Sequence, residues 1–177
     1  MQKTANLKKM VITALLVAMN IVLVRYLGLT TDLVKINFGF LPLTVVAILY
    51  GPWWGGASFA LADVVGMLIA GGGRTYFPLF TISEFLYGVF YGLILHKREK
   101  NLPNITFAVV LTTVVINLGL TPVWNMLYMK FIMGQVLPYW SIVVTRATPA
   151  VIMAVIKIVT IWLLWRYAGK YMTKYSK

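Results

Sequence analysis

The sequence predicts an all-α integral membrane protein, a bundle of about six transmembrane helices that forms a single domain over residues 1–177. Of its 177 residues, 60% are hydrophobic and only 11% are charged, and the mean hydropathy is +0.85. Soluble domains carry about 25% charged residues, so the bilayer must be the solvent of this chain. At about 20 residues per spanning helix, the length allows six spans with short connections and leaves no room for a catalytic or nucleotide-binding domain.

Apolar runs separated by Gly and Pro define the six predicted helices. They lie at about 7–27, 40–50, 55–70, 79–95, 105–131 and 139–167. The second is short for a span. Pro122 predicts a kink in the fifth helix, and Pro149 lies near the first turns of the sixth.

The distribution of Lys and Arg predicts the orientation. One side of the membrane carries Lys3, Lys8, Lys9, Lys97, Arg98, Lys100, Arg166, Lys170, Lys174 and Lys177. By the positive-inside rule this side is cytoplasmic, so both termini of a multi-pass protein in the cell membrane are expected there. Lys157 falls within the sixth helix, where a lysine either snorkels to the interface or faces a partner.

The opposite, outer side also carries cations that orientation does not require. They are Arg25, Lys35, Arg74, Lys130 and Arg146. The acids available to them on that side are Asp32, Asp63 and Glu84. A bound anionic solute would neutralise part of this charge, and the alternative for each cation is contact with lipid phosphate or snorkelling.

Two acids are candidates for ligand contact. Asp63 lies about eight residues from the outer end of the third helix, roughly 12 Å deep at 1.5 Å per residue, where an ionised carboxylate must face the bundle interior. It either accepts hydrogen bonds from a ligand or pairs with Arg25 or another buried donor. Glu84 lies nearer the outer end of the fourth helix and has the same two interpretations, with ligand contact slightly favoured.

The connection between the third and fourth helices combines three glycines with a cation and aromatic rings, in the order Gly71-Gly72-Gly73-Arg74-Thr75-Tyr76-Phe77-Pro78. Arg74 offers an anion partner, and Tyr76 and Phe77 offer a stacking surface for a flat ring. This composition favours a gate over a binding site, although three glycines are also typical of an ordinary turn.

Polar and aromatic residues also mix in the first outer loop and in the fifth helix. Asn37 and Phe38 are candidates in the loop, and Asn117 and Trp124 in the helix. Asn117 is a polar group at membrane depth, and such groups also join helices to each other. Aromatic residues near helix ends commonly form an interfacial belt, so each of these side chains has a structural alternative.

Signals of enzymatic activity are missing from the sequence. It has no cysteine, and its one histidine, His96, has no neighbouring metal ligands. It also has no phosphate-binding loop, so we expect no metal and no cofactor, and any ATP must be used by another protein. The net charge of +12 lies mainly at segment ends, which membrane topology explains better than nucleic-acid binding.

Small residues form stripes on several predicted helices. Ala14 and Ala18 lie near the cytoplasmic end of the first helix, and Gly88 and Gly92 share a face of the fourth. Such stripes let helices approach closely. Most of them pack the bundle, but Ala14 and Ala18 stand where a partner membrane subunit could dock.

Several short motifs together resemble a known family. They are Asn37-Phe38-Gly39-Phe40-Leu41-Pro42, Tyr50-Gly51-Pro52 with Gly55-Gly56, Ala62-Asp63-Val64-Val65-Gly66, Tyr76-Phe77-Pro78 with Phe80-Thr81-Ile82-Ser83, and Asn117-Leu118-Gly119-Leu120 before Trp124. This pattern covers nearly the whole chain and is similar to the substrate-binding S components of energy-coupling factor (ECF) transporters. It is most similar to their folate-specific members, which commonly have a small residue at the position of Glu84.

The resemblance implies a six-helix bundle that binds a vitamin from outside and joins a transmembrane coupling protein, EcfT, and two ATPases. Ala14 and Ala18 match the family's docking signature for the coupling protein. Folate would also explain the outer cations, because its glutamyl carboxylates would pair with some of them. Its rings would stack on Tyr76, Phe77 or Trp124, and the donor edge of its pterin would suit Asp63 or Asn117.

Other functions stay open from the sequence. An S component for riboflavin, pantothenate or thiamine is the nearest alternative, although cationic thiamine fits the outer positive charge poorly. A membrane enzyme is disfavoured by the missing catalytic cluster, and a scaffold without a ligand would leave the outer cations and Asp63 unexplained.

Overall fold

The computed structural model describes residues 2–26, 28–30, 35–70, 75–136 and 138–174. Within these ranges, the side chains of residues 2–5, 25, 29, 30, 35, 36, 70, 170 and 172–174 lie outside the description. In chain order the elements are α1 (Gln2–Arg25), β1 (Leu29–Thr30), β2 (Lys35–Ile36), α2 (Phe40–Tyr50), α3 (Pro52–Ala70), α4 (Pro78–Leu95), α5 (Leu102–Thr112), a π-helix (Thr113–Leu120), α6 (Thr121–Ile132) and α7 (Tyr139–Lys174).

The predicted helical membrane fold is confirmed at the level of its class. Five stretches in the described residues are long and apolar enough to cross a bilayer: Asn6–Val24, Pro52–Ile69, Pro78–Leu95, Leu102–Ile132 and Tyr139–Gly169. The second predicted helix corresponds to α2, which is apolar and 11 residues long. A helix of this length rises about 16 Å, roughly half the hydrocarbon thickness. The chain is thus a multi-pass membrane protein.

A short hairpin follows α1, and the sequence analysis did not predict it. Leu29 pairs with Ile36 and Thr30 with Lys35 in antiparallel register. Each strand has two residues, which is too short to produce the alternating pattern by which strands are recognised.

The fifth predicted helix is continuous but changes its winding in the middle. Between α5 and α6, residues Thr113–Leu120 form a π-helix, and the N–H of Thr121 bonds to the carbonyl of Ile116. Pro122 follows at the start of α6, where its missing N–H leaves a gap in the backbone ladder. The predicted irregularity at Pro122 therefore takes the form of a wider helical turn immediately before it, and such segments are frequent at functional sites.

Helices α3 and α4 form the closest-packed pair of the bundle, and glycines make this possible. A Cβ atom on Gly88 would lie 2.4 Å from the backbone of Gly55, and one on Gly92 would lie 2.3 Å from Cα of Pro52. The stripe of small residues predicted on the fourth helix thus packs against the backbone of α3.

The two ends of the bundle differ in character. At one end, which we call the basic end, α2 and α4 finish side by side, and Nδ1 of His96 donates to the carbonyl of Ile48 at 2.8 Å. There the ammonium of Lys9 lies over the rings of Tyr50 and Trp54, at 5.1 and 4.2 Å from their centroids. At the other end, which we call the open end, α1 and α3 finish and α2 and α4 begin.

Candidate functional site

A cavity of about 330 Å³ enters the bundle from the open end. Its walls come from the second half of α1, the first half of α2, and from α3, α4, the π-helix, α6 and α7. The volume lies in the range usual for small-molecule sites. The lining residues are Asn20, Ile21, Val24, Asn37, Phe40, Leu43, Phe59, Ala62, Asp63, Gly66, Phe80, Ser83, Glu84, Tyr87, Tyr91, Asn117, Thr121, Arg146, Met153 and Lys157.

Aromatic rings form much of the cavity wall. Tyr91 lies between Phe59 and Tyr87, with its ring centroid 6.4 Å from the first and 6.5 Å from the second and with interplanar angles of 22° and 17°. Nearer the rim, Phe80 packs against Phe77 and Tyr128. Flat apolar faces of this kind suit a planar aromatic ligand.

The acidic and the basic residues of the cavity lie on different helices. The acids Asp63 and Glu84 stand on α3 and α4, whereas the cations Arg146 and Lys157 both stand on α7. Glu84 interacts electrostatically with Asp63 and with Lys157. The cavity can therefore offer acceptors on one side and charged donors on the other.

Asp63 is held by a chain of hydroxyl groups. Thr81 Oγ1 donates to Asp63 Oδ2 at 2.6 Å, and the hydroxyl of Tyr76 lies 2.9 Å from the same Thr81 oxygen. Because the hydroxyl of Thr81 has a single proton, Tyr76 must be the donor to Thr81. The expected alternatives for Asp63 were a ligand or a structural partner, and Thr81 is a structural partner that still leaves Oδ1 available.

Lys157 lies inside the cavity. Its ammonium is 4.9 Å from the ring centroid of Tyr87 and 5.5 Å from that of Phe40. Each ring attracts the cation through its negative face, so the two together fix where the ammonium stands. From the sequence, Lys157 was expected to snorkel to the interface or to face a partner, whereas in the structure its side chain points into the bundle.

Two more polar contacts join the cavity wall to the π-helix and α6. The hydroxyl of Tyr87 donates to Oδ1 of Asn117, which is part of the π-helix. The indole N–H of Trp124 donates to Oγ of Ser83 at 2.9 Å. Asn117 thus lines the cavity directly, while Trp124 supports a residue that does.

The rim is fixed where α1 meets the start of α2. Asn20 is buried, and its Nδ2 donates to the carbonyl of Gly39 at 2.7 Å. The N–H of Gly39 donates to Oδ1 of Asn37 at 3.3 Å, which closes a tight turn. A Cβ atom on Gly39 would lie 2.2 Å from a methyl group of Val24, so a larger residue here would have to displace the Val24 side chain.

The structure brings many of the predicted site residues together. Those that line the cavity are Asn37, Asp63, Glu84, Asn117 and Arg146. Trp124 donates a hydrogen bond to the lining residue Ser83, and Phe77 packs on the lining residue Phe80. Tyr76 bonds to Thr81, which in turn bonds to the lining residue Asp63. Phe38 is 41% exposed and is not among the lining residues. Arg74 and the side chains of Arg25 and Lys35 lie outside the described residues.

Arg146 stands at the rim of the cavity. It is exposed, and its Nη2 makes a long contact of 3.4 Å with Oδ1 of Asn125. The guanidinium is therefore accessible to an anion that enters from the open end.

Sequence reasoning missed Asn20, Ser83 and Lys157 as cavity residues. Asn20 and Lys157 did carry a signal, because each is a polar side chain in the middle of an apolar segment. Ser83 carried none, since serine is common on packed membrane helices.

Ala14 and Ala18 lie apart from the cavity. Both are exposed on one face of α1, four residues apart, beside the exposed side chains of Leu15 and Met19. A small-residue surface that is open to the bilayer is compatible with the docking role expected for it.

Comparisons with known proteins place the chain in a family. The model of the ECF transporter substrate-specific component matches residues 8–170. A folate transporter FolT from Clostridium novyi (strain NT) is 30% identical over 161 residues, which cover 91% of this chain and 90% of that protein. A second folate transporter FolT, from Leuconostoc mesenteroides, is 30% identical over 118 residues, 66% of this chain and 63% of that protein.

A solved structure supports the same family assignment. A crystal structure of FolT bound with folic acid aligns with a TM-score of 0.76 at 34% sequence identity, over 89% of this chain and 92% of that one. The chain therefore belongs to the family of substrate-specific components of ECF transporters.

Proposed function

We propose that this chain binds folate from outside the cell and delivers it through an ECF-type importer. The observation that carries the proposal is the cavity at the open end, which combines stacked aromatic walls with acids on one side and cations on the other. Folate has a flat heteroaromatic ring at one end and carboxylates at the other, so it complements both features. The relatives named FolT and the folic-acid complex of one of them support the same ligand.

The cations near the open end suit the glutamyl carboxylates of folate. Arg146 stands accessible at the rim. Arg25 ends α1 and Lys35 begins β2, close in sequence to the cavity residue Asn37. With Arg74, these residues would form a positively charged entrance that attracts an anionic vitamin.

The proposed topology has six spans, with α2 as the shortest, and both termini on the cytoplasmic side of the cell membrane. The excess of Lys and Arg at the basic end supports this orientation. The open end then faces outward, where the vitamin is captured.

Transport would require partners that supply energy. We expect a coupling protein, EcfT, to dock on α1 at Ala14 and Ala18, and two ATPases to hydrolyse ATP. The chain itself would act as a binding subunit without catalysis, without a cofactor and without nucleic acid. Its described residues contain no group of three potential metal ligands close enough to hold an ion.

Titration of the purified chain with folic acid tests the ligand. Trp124 bonds to a cavity residue, so quenching of its fluorescence should report occupancy. Saturable quenching by folic acid, with no competition from thiamine, riboflavin or pantothenate, is expected. The Trp124→Phe variant should lose most of the signal, since among the described residues Trp124 alone of the six tryptophans bonds to a residue that lines the cavity. A response to another vitamin and none to folic acid would contradict the proposed ligand.

A further inference from the structure

Glu84 on α4 and Lys157 on α7 have side chains with unused hydrogen-bonding capacity. Both line the cavity, and they interact electrostatically. Among the residues that the structure describes, neither side chain forms a hydrogen bond or a salt bridge, and the ammonium lies over the faces of two rings. A carboxylate and an ammonium at membrane depth are costly unless something satisfies them.

The neighbouring charged groups each have a partner in the fold. Asp63 accepts the proton of Thr81 on one oxygen, and Arg146 contacts Asn125 at the rim. Glu84 and Lys157 are thus the two charged lining residues whose side chains have no hydrogen-bond partner among the described residues.

The position of Lys157 is also fixed. Contact with the faces of Tyr87 and Phe40 restrains the ammonium between α4 and α2, and the hydroxyl of Tyr87 is held in turn by Asn117. A restrained ammonium loses little entropy when it donates to a ligand, which favours recognition of one specific acceptor.

We infer that Glu84 and Lys157 together form a subsite for one edge of a heteroaromatic ring. This edge carries hydrogen-bond donors next to a carbonyl acceptor. This inference rests on the proposed function, because the pterin ring of folate has such an edge. Its amino group and adjacent ring N–H would donate to the carboxylate of Glu84, and its ring carbonyl would accept from the ammonium of Lys157.

The pair then sets specificity as well as affinity. In aminopterin, an amino group replaces the ring carbonyl of folic acid, and the adjacent ring nitrogen carries no hydrogen. A donor would then face the ammonium of Lys157, and a lone pair in place of the N–H would face the carboxylate of Glu84. A hydrogen bond to a charged group changes affinity by about tenfold or more, and a buried mismatch of this kind is a strong basis for discrimination. If the pair served only to neutralise charge, its loss would affect both ligands alike.

The test is the ratio of the two dissociation constants, for folic acid and aminopterin, in the purified full chain and its variants. The wild type should prefer folic acid by about tenfold. Lys157→Met should lower this ratio by about threefold or more, and Lys157→Arg, which keeps a charged donor, should retain most of the preference. Glu84→Gln should weaken both ligands, and folic acid more than aminopterin, because only folic acid offers the ring N–H to Glu84 beside the amino group.

The control is Lys97→Met, which removes a cation from an exposed position at the basic end and should change neither constant. Thermal unfolding of each variant identifies any that fail to fold, and Lys157→Leu, which also has no donor, then replaces Lys157→Met. An unchanged ratio in a folded variant without the Lys157 charge overturns the inference. So does a wild type that binds both ligands equally, whereas a wild type that does not bind folic acid overturns the proposed function as well.

Discussion

Thr81 on α4 donates a hydrogen bond to Asp63 on α3, with 2.6 Å between Oγ1 and Oδ2. The bond crosses the closest-packed helix pair of the bundle and fixes the direction of a carboxylate that lines the cavity. Tyr76, which is 44% exposed, donates to Thr81 in turn. The chain of hydroxyl groups thus connects the surface at the open end with the interior of the site.

Removing the hydroxyl group of Thr81, the middle member of this series of hydrogen bonds, should weaken the binding of folic acid. Thr81→Val keeps the shape of the side chain but leaves Asp63 Oδ2 without its donor. We expect the dissociation constant for folic acid to rise about tenfold, or about 1.4 kcal/mol. Isothermal titration should show recovery in Thr81→Ser. Thr160→Val, which loses only a bond within its own helix, is the control and should bind normally; an equal loss in both variants would argue against a specific role for Thr81.

The glycine contact between α3 and α4 should govern stability. A methyl group on Gly88 would overlap the backbone of Gly55 at 2.4 Å, so the helices must separate. Gly88→Ala should lower the free energy of unfolding by about 1–3 kcal/mol, measured as a reduced melting temperature in detergent. Gly119→Ala is the matched control, because its Cβ atom would meet only the Val114 carbonyl at 3.4 Å. Equal melting temperatures for the two variants would contradict the packing described for Gly88.

Asn20 should control the rim of the site. Asn20→Ala removes the donor to the buried carbonyl of Gly39 and leaves that carbonyl unsatisfied, at a cost of about 1–3 kcal/mol. We expect a lower melting temperature together with faster release of folic acid, followed by stopped-flow fluorescence. Asn104→Ala removes an exposed bond at the basic end and should leave release unchanged. A normal release rate in Asn20→Ala would show that Asn20 does not control the release of folic acid.

The exposed small residues of α1 should matter for assembly and not for ligand binding. Ala14→Leu and Ala18→Leu add bulk to a face that the isolated chain leaves open. Folic acid should bind both variants normally, while copurification of the coupling protein and ATPases should fall at least several-fold. Val151→Phe adds bulk to an exposed site on α7 and should assemble normally. Normal assembly of both alanine variants would exclude this face as the docking surface.

The sequence was sufficient for the fold class because the apolar runs are long. The sequence was less informative about short elements and about which way each helix face points. The strands of the hairpin have two residues each, and the π-helix before Pro122 has no periodicity of its own. These elements depend on tertiary contacts that a single sequence does not reveal.

The residues of the site were likewise only partly predictable from the sequence. Asp63, Glu84 and Asn117 were predictable because polar groups at membrane depth must face inward. Lys157 was not, because its long chain could equally have reached the interface, and only the rings of Tyr87 and Phe40 determine its direction. Trp124 and Tyr76 were predicted as stacking surfaces, whereas the structure gives both of them hydrogen bonds that support the cavity.

Equilibrium dialysis with labelled folic acid tests whether folic acid occupies the cavity at the open end. Ala62 is buried in the cavity wall, whereas Ala18 is exposed on α1. Phenylalanine at each position adds the same volume in two different places. We expect saturable binding to the wild type and to Ala18→Phe, and loss of binding in Ala62→Phe with the fold retained. Undiminished binding to Ala62→Phe, or none to the wild type, would show that folic acid does not occupy this cavity.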